Sequence, residues 1–194
     1  MNFYEFARGV VNVIFTPLYR IEGIGTENIP DDGPVLICAN HIHNFDPIAV
    51  GVTLKREVIF MAKEEIFKVP VLNKIVRKLG SFPVKRGKGD REALRMGLST
   101  LREGKVLGLF PEGTRSKTGE IGKGLAGAGF FALKTEAKVV PCAIVGPYKI
   151  FRKTKVVYGK PIDLTELKER KASAEEVTDL IMSHIKEILL QYKK

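Results

Sequence analysis

The reactive side chains of this 194-residue chain are densest in eight residues, Asn40-His41-Ile42-His43-Asn44-Phe45-Asp46-Pro47. His41 and Asp46 have four residues between them. An imidazole has an ordinary pKa of about 6.5 and can take up a proton near neutrality. A carboxylate on its other nitrogen orients the ring and stabilises the imidazolium. That is the base and orienter of a triad, and the nucleophile is missing. No Gly-x-Ser-x-Gly elbow surrounds any serine. Cys38 and Cys142 lie in the apolar runs 35–40 and 139–145, which read as reduced core thiols and not as activated ones. A base without a protein nucleophile suits direct transfer, in which a substrate hydroxyl is deprotonated and attacks. Two other readings of the segment stay open. Cys38, His41, His43 and Asp46 are metal-capable, although no further ligand cluster follows downstream. Alternatively Asp46 is only a helix cap and His41 a loop residue.

A second constellation is Phe110-Pro111-Glu112-Gly113-Thr114-Arg115-Ser116. Gly113 permits close backbone approach, Thr114 and Ser116 bring hydroxyls, and Arg115 brings a planar fork for an oxyanion. Together they suggest an anion or phosphate cradle, against the plainer reading of a polar turn. Glu112 fits such a cradle only if it pairs with an arginine or binds a substrate hydroxyl. The stretch is not a Walker A loop, because Gly122-Lys123 is followed by Gly124. A third patch, 80–89, ends a short strand with Lys85 and Arg86. A fourth, 139–144, is apolar and fits either core or an acyl-chain wall.

Both principal loops follow apolar runs bounded by turn residues, which is how buried strands read. Strands are expected at 20–25, 35–40, 58–62, 81–84, 105–110, 138–145 and 155–162. Between them lie helices from Asp46 to about Leu54, over 63–79 with a break near Pro70, from Asp90 to Arg102, from the Gly-rich 119–129 stretch to about Ala137, and at the C-terminus. Asp46 is expected as an N-cap with Pro47 at the first helical position. This alternation predicts an α/β fold: a single domain with a central mixed, largely parallel sheet flanked by helices. Loops at strand ends are where such sheets place their sites.

Residues 1–19 form a separate N-terminal amphipathic helix ahead of a domain at 20–194. Phe3, Phe6, Ala7, Val10, Val11, Ile14 and Leu18 recur at helical spacing, and Tyr4, Val13, Phe15 and Tyr19 widen the apolar arc. The eleven uncharged residues between Arg8 and Arg20 are too few to span a bilayer, which needs about 20. They suit a helix lying in the membrane plane, or one packed on the protein's own core.

With 32 Lys+Arg against 22 Asp+Glu the net charge is +10. Residues 55–105 hold 14 basic and 6 acidic residues, a local excess of 8. Such a chain meets something acidic, whether a membrane surface, a phosphorylated ligand or nucleic acid. Nucleic acid is disfavoured because the only aromatics in that stretch, Phe60, Phe67 and Phe82, sit in apolar runs without a stacking platform.

Taken in order, the four blocks resemble those of the lysophosphatidic acid acyltransferases (1-acylglycerol-3-phosphate O-acyltransferases), a family of glycerolipid acyltransferases. The likeness spans about residues 20–160. It implies transfer of a fatty acyl group from acyl-CoA or acyl carrier protein to the sn-2 hydroxyl of a lysophosphatidate, giving phosphatidic acid in phospholipid biosynthesis. His41 would be the general base and Asp46 its orienter. Arg86, Glu112 and Arg115 would hold the glycerol phosphate in a pocket shaped by Gly113 and Thr114, and Lys63 would help position the acceptor or the thioester. No metal and no cofactor beyond the acyl-donor co-substrate is implied. The protein would sit on the inner face of the cell membrane, bound peripherally to its anionic surface. Two residues depart from the family pattern: His43, where a small residue is usual, and Pro83, where an aliphatic one is. The acceptor therefore also admits glycerol 3-phosphate or another lysophospholipid. A basic anionic-ligand-binding or nucleic-acid-binding domain without catalysis is the reading from another class.

Overall fold

The computed structural model describes residues 2–85, 89–116 and 118–193. Its centre is β2 (Val35–Ala39), whose five residues are all buried. A strand covered on both faces needs such a continuous apolar run. Side-chain alternation splits it between two cores: Leu36 and Cys38 point to one layer, Val35, Ile37 and Ala39 to the other. β6 (Lys138–Val145) repeats the pattern, with Ala143 in the first core and Cys142 in the second. The two cysteines therefore lie on opposite faces of the sheet, buried and free.

Seven strands form one sheet. They are β1 (Ile21–Ile24), β2, β3 (Val58–Lys63), β4 (Phe82–Val84), β5 (Val106–Leu109), β6 and β7 (Thr154–Tyr158), ordered β1-β7-β6-β2-β5-β3-β4. Every neighbouring pair is parallel except β6 and β7. This is the mixed, largely parallel α/β sheet expected from the sequence. Helices α4 (Arg91–Arg102), α5 (Gly127–Lys134) and α7 (Ala174–Tyr192) bury Leu101, Phe131, Ile181 and Ile185 against one face. α5 and α7 approach so closely that a side-chain carbon at Gly129 would collide with the Ala174 carbonyl. The other face is covered by α2 (Asp46–Thr53), through Ala49 and Val50, and by part of α1 (Phe3–Tyr19).

Several elements differ from expectation in detail. Residues 63–79 divide into a 3-10 helix, Glu64–Lys68, and α3 (Pro70–Lys78), and Pro70 at the start of α3 accounts for the break. α5 stops at Lys134, short of Ala137, because Thr135 is extended and begins the approach to β6. A short α6 (Thr165–Glu169) was not foreseen; Asp163 accepts the Thr165 N–H at its start. Asp46 is the first residue of α2 and not its cap, a position taken by Phe45.

The apolar arc of α1 does not act as one face. Asn2 and Glu5 close a capping box at its start. Tyr4 is buried, its hydroxyl accepting the Val58 N–H at 3.0 Å, and Phe15 and Tyr19 pack against the core. Arg8 donates to the Leu54 carbonyl at 2.9 Å. The opposite side leaves Val13 77% and Ile14 63% exposed, with Phe6 and Val10 beside them. Both open readings of this helix thus have a physical counterpart, a packed side and a bare apolar side. No helix among the described residues is long and apolar enough to cross a membrane.

Candidate active site

β2 and β5 are parallel neighbours, paired from Val35↔Val106 to Cys38↔Leu109, so their C-terminal ends open together. The two principal loops leave from there, the place where parallel sheets put ligands. At the end of β2, Asn40 clamps the neighbouring strand: its side chain donates to the Ile144 carbonyl at 3.1 Å and accepts the Ile144 N–H at 2.7 Å. The next residue, His41, is thereby aimed across the end of the sheet.

His41 Nδ1 lies 2.7 Å from Asp46 Oδ2. An ionised carboxylate only accepts, so the proton sits on Nδ1 and Nε2 keeps a lone pair. Among the described residues nothing hydrogen-bonds Nε2. Asp46 is fully buried, and the same Oδ2 accepts the N–H groups of Ile42 at 2.7 Å and His43 at 2.8 Å. Its carboxylate thus folds the loop back on itself instead of capping α2, which explains why Asp46 lies inside the helix. The His41 ring stacks on Phe110, 4.1 Å between centroids, which fixes its plane.

The second loop braces the first. Glu112, also buried, accepts the His41 N–H through Oε1 at 2.9 Å and the Gly122 N–H through Oε2 at 2.8 Å. Ser116 N–H donates to the His41 carbonyl at 2.8 Å. The histidine backbone is therefore held on both sides by residues 110–116. Both oxygens of Glu112 are thus engaged by backbone donors, which gives the side chain a bracing role beside the substrate-binding one expected for it. Gly113 turns the loop at φ 65°, and a Cβ there would lie 2.6 Å from Leu125 Cδ1. The positive φ strains any other residue there, and the exposed Leu125 side chain would have to move aside.

Thr114 and Arg115 are exposed on an open cavity of about 340 Å³ that Glu112, Ser116 and Lys123 also line. Arg115 and Lys123 give the cavity two cations. Lys63 does not join the dyad: it sits at the end of β3, opposite Val84, and pairs with Glu65 at 3.1 Å. Arg86 lies outside the described residues. His43 is not a second base beside His41. Its ring packs against Phe45 and Tyr148, and its Nδ1 accepts the Phe45 N–H at 3.3 Å. No group of three or more His, Cys, Asp and Glu among the described residues is arranged to hold a metal ion. Burial pushes both thiols up, for Cys142 with the charge of Asp46 adding to it, so neither is a ready nucleophile.

Sequence reasoning gave no role to Asn40 or Phe110, read Ser116 only as a hydroxyl where its N–H holds His41, and missed Lys123 and Tyr148. The first three stand inside or beside the motifs and were open to recognition. Lys123 and Tyr148 reach the site only through the fold.

A family model described as Acyltransferase matches residues 20–145. The chain is 31% identical over 196 residues to the 1-acyl-sn-glycerol-3-phosphate acyltransferase of Bacillus subtilis (strain 168), covering 95% of this chain and 96% of that protein. It is 33% identical over 153 residues to the chloroplastic 1-acyl-sn-glycerol-3-phosphate acyltransferase LPAT1 of Arabidopsis thaliana, covering 77% of this chain and 43% of the plant protein. Its fold superposes on the crystal structure of the 1-acyl-sn-glycerophosphate (LPA) acyltransferase PlsC from Thermotoga maritima with a TM-score of 0.72, at 24% identity, over 100% of this chain and 84% of that one.

Proposed function

The chain belongs to the acyltransferase family, and from that premise we propose that it acylates the sn-2 hydroxyl of 1-acylglycerol 3-phosphate to give phosphatidic acid, with His41 as general base. The observation that carries the mechanism is the 2.7 Å contact between His41 Nδ1 and Asp46, which leaves Nε2 as the free acceptor. The acceptor hydroxyl gives its proton to Nε2 as its oxygen bonds to the thioester carbonyl carbon. Asp46 stabilises the imidazolium so formed. The tetrahedral intermediate then expels the thiolate, the carbon–sulfur bond breaks, and the imidazolium returns the proton to sulfur. No covalent acyl-enzyme is needed. Base catalysis of this kind contributes roughly 10²- to 10⁴-fold.

Arg115, with Thr114 and Lys123 beside it, is suited to hold the acceptor's phosphate over the exposed cavity. Arg86 is assigned to the same phosphate from the sequence pattern, and Lys63 to the outer edge of the donor or acceptor path. Acyl-CoA or acyl carrier protein serves as donor, with no other cofactor. The bare side of α1 rests in the interface of an anionic bilayer on the inner face of the cell membrane, where a lysophosphatidate resides.

The test is purified protein on liposomes with lysophosphatidate, glycerol 3-phosphate or another lysophospholipid as acceptor, each with acyl-CoA and with acyl carrier protein. Phosphatidic acid from lysophosphatidate is the expected product. Turnover only with a different acceptor would overturn the substrate assignment.

A further inference from the structure

Two buried side-chain polar atoms among the described residues make no hydrogen bond: Asp46 Oδ1 and the hydroxyl of Tyr148. One is an acceptor and the other a donor. Leaving such a pair unmatched is costly, and nearly all buried polar groups find partners. Tyr148 stands three residues beyond β6. Its ring packs on His43 at 4.9 Å, on Phe45 at 6.0 Å and on Tyr19 at 6.1 Å. That cage seals the hydroxyl against the back of the catalytic loop.

We propose that Tyr148 is a positioning residue for the catalytic pair: in the working enzyme its hydroxyl donates to Asp46 Oδ1, while Oδ2 holds His41 and the two loop N–H groups. The proposal rests on His41 being the base. Burial, followed by the charge and acceptor oxygen of Asp46, raises the phenol, so it keeps its proton and stays a donor. The other ionisable groups around Asp46 are His41 and His43 on its own loop and Cys142 on β6, with Tyr158 on β7 behind Cys142. Cys142 and Tyr158 are also raised by burial and remain neutral.

A donor on Oδ1 draws negative charge away from Oδ2. Removing it strengthens Oδ2 as acceptor and favours the imidazolium. Tyr148→Phe should therefore move the acid limb of the kcat/KM profile to higher pH by about half a unit to one unit, with kcat reduced roughly three- to tenfold. The same displacement should appear in the ¹⁵N titration of the His41 ring, which needs no substrate. The chain has three histidines, and loss of a signal in His41→Ala assigns it. An unmoved titration and profile would overturn the proposal, as would activity lost only in proportion to the unfolded fraction. Should Tyr148→Phe not fold, the wild-type protein decides the matter. A Tyr148 hydroxyl proton bound to Asp46 exchanges slowly and gives its own downfield resonance, and its absence would refute the contact. Failure of the base assignment looks different, because His41→Ala would then retain turnover.

Discussion

Replacing Glu112 by glutamine separates two roles for one carboxylate. The native side chain is 8% exposed and carries two bonds, to His41 N–H at 2.9 Å and to Gly122 N–H at 2.8 Å. Hydrogen bonds to an ionised acceptor are worth about 1.5–3 kcal/mol each. Glutamine keeps the shape and one acceptor oxygen, but its amide nitrogen must face a backbone donor, so one bond is lost and one N–H is stranded. The expected cost is about 2 kcal/mol. It is read as a fall in urea midpoint at constant slope, or about 4–8 °C in Tm for a chain of this size. Because one of the two bonds holds the His41 backbone, kcat should fall about ten- to a hundredfold, the scale expected when a reacting group is displaced by an ångström. KM for the acceptor should stay within about twofold, since that carboxylate does not touch the substrate in this reasoning. Wild-type stability and kcat with a tenfold or greater rise in acceptor KM would refute it. Glu112 would then be the substrate ligand that its place in the motif suggests.

The other expectations concern the surface of the site and the protein. Arg115→Ala should raise acceptor KM about tenfold or more while leaving stability within about 0.5 kcal/mol, because the side chain is exposed; an unchanged KM would remove it from the phosphate cradle. The double change Val13→Glu and Ile14→Glu should weaken sedimentation with anionic liposomes about tenfold or more without altering Tm, and added salt should weaken wild-type binding. Equal binding by the variant would detach α1 from the membrane. Asp90 caps α4 by accepting the Glu92 and Ala93 N–H groups, and its bonds to the backbone hold its carboxyl below the usual range. A depressed folded value stabilises above the unfolded pKa and is lost as pH falls through the folded one. Asp90→Ala should thus cost about 0.5–1 kcal/mol at pH 7, the solvent-facing charge being screened. The gap between variant and wild type should narrow as pH drops below the ordinary aspartate value of about 4 toward the depressed value of the folded cap; a pH-independent gap would contradict this account of the cap.

The parts of the molecule that could be read from the sequence are those set by short-range pattern. β2 and β6 are continuous apolar runs that only a doubly covered strand requires, and they appear where expected, β6 with its range unchanged. His41 and Asp46 were legible because one loop carries both. The role of Glu112 was not, because it depends on backbone donors 71 and 10 residues away, and a motif names side chains but not which amides they will meet. Tyr148 was hidden for the same reason: nothing local marks a tyrosine whose hydroxyl is buried and whose ring packs on the catalytic loop. The α1 pattern was visible as a wide apolar arc, but which part is packed and which is bare follows from where α2 and β3 lie beneath it.

The central claim is that the free nitrogen of His41 takes the proton from the acceptor hydroxyl. Its most direct test compares wild-type protein and His41→Ala on liposomes containing lysophosphatidate, with labelled acyl donor and phosphatidic acid as the measured product. The account predicts a variant that folds with a near wild-type Tm and forms product at least about a hundredfold more slowly. A folded His41→Ala protein that makes phosphatidic acid at the wild-type rate would contradict it.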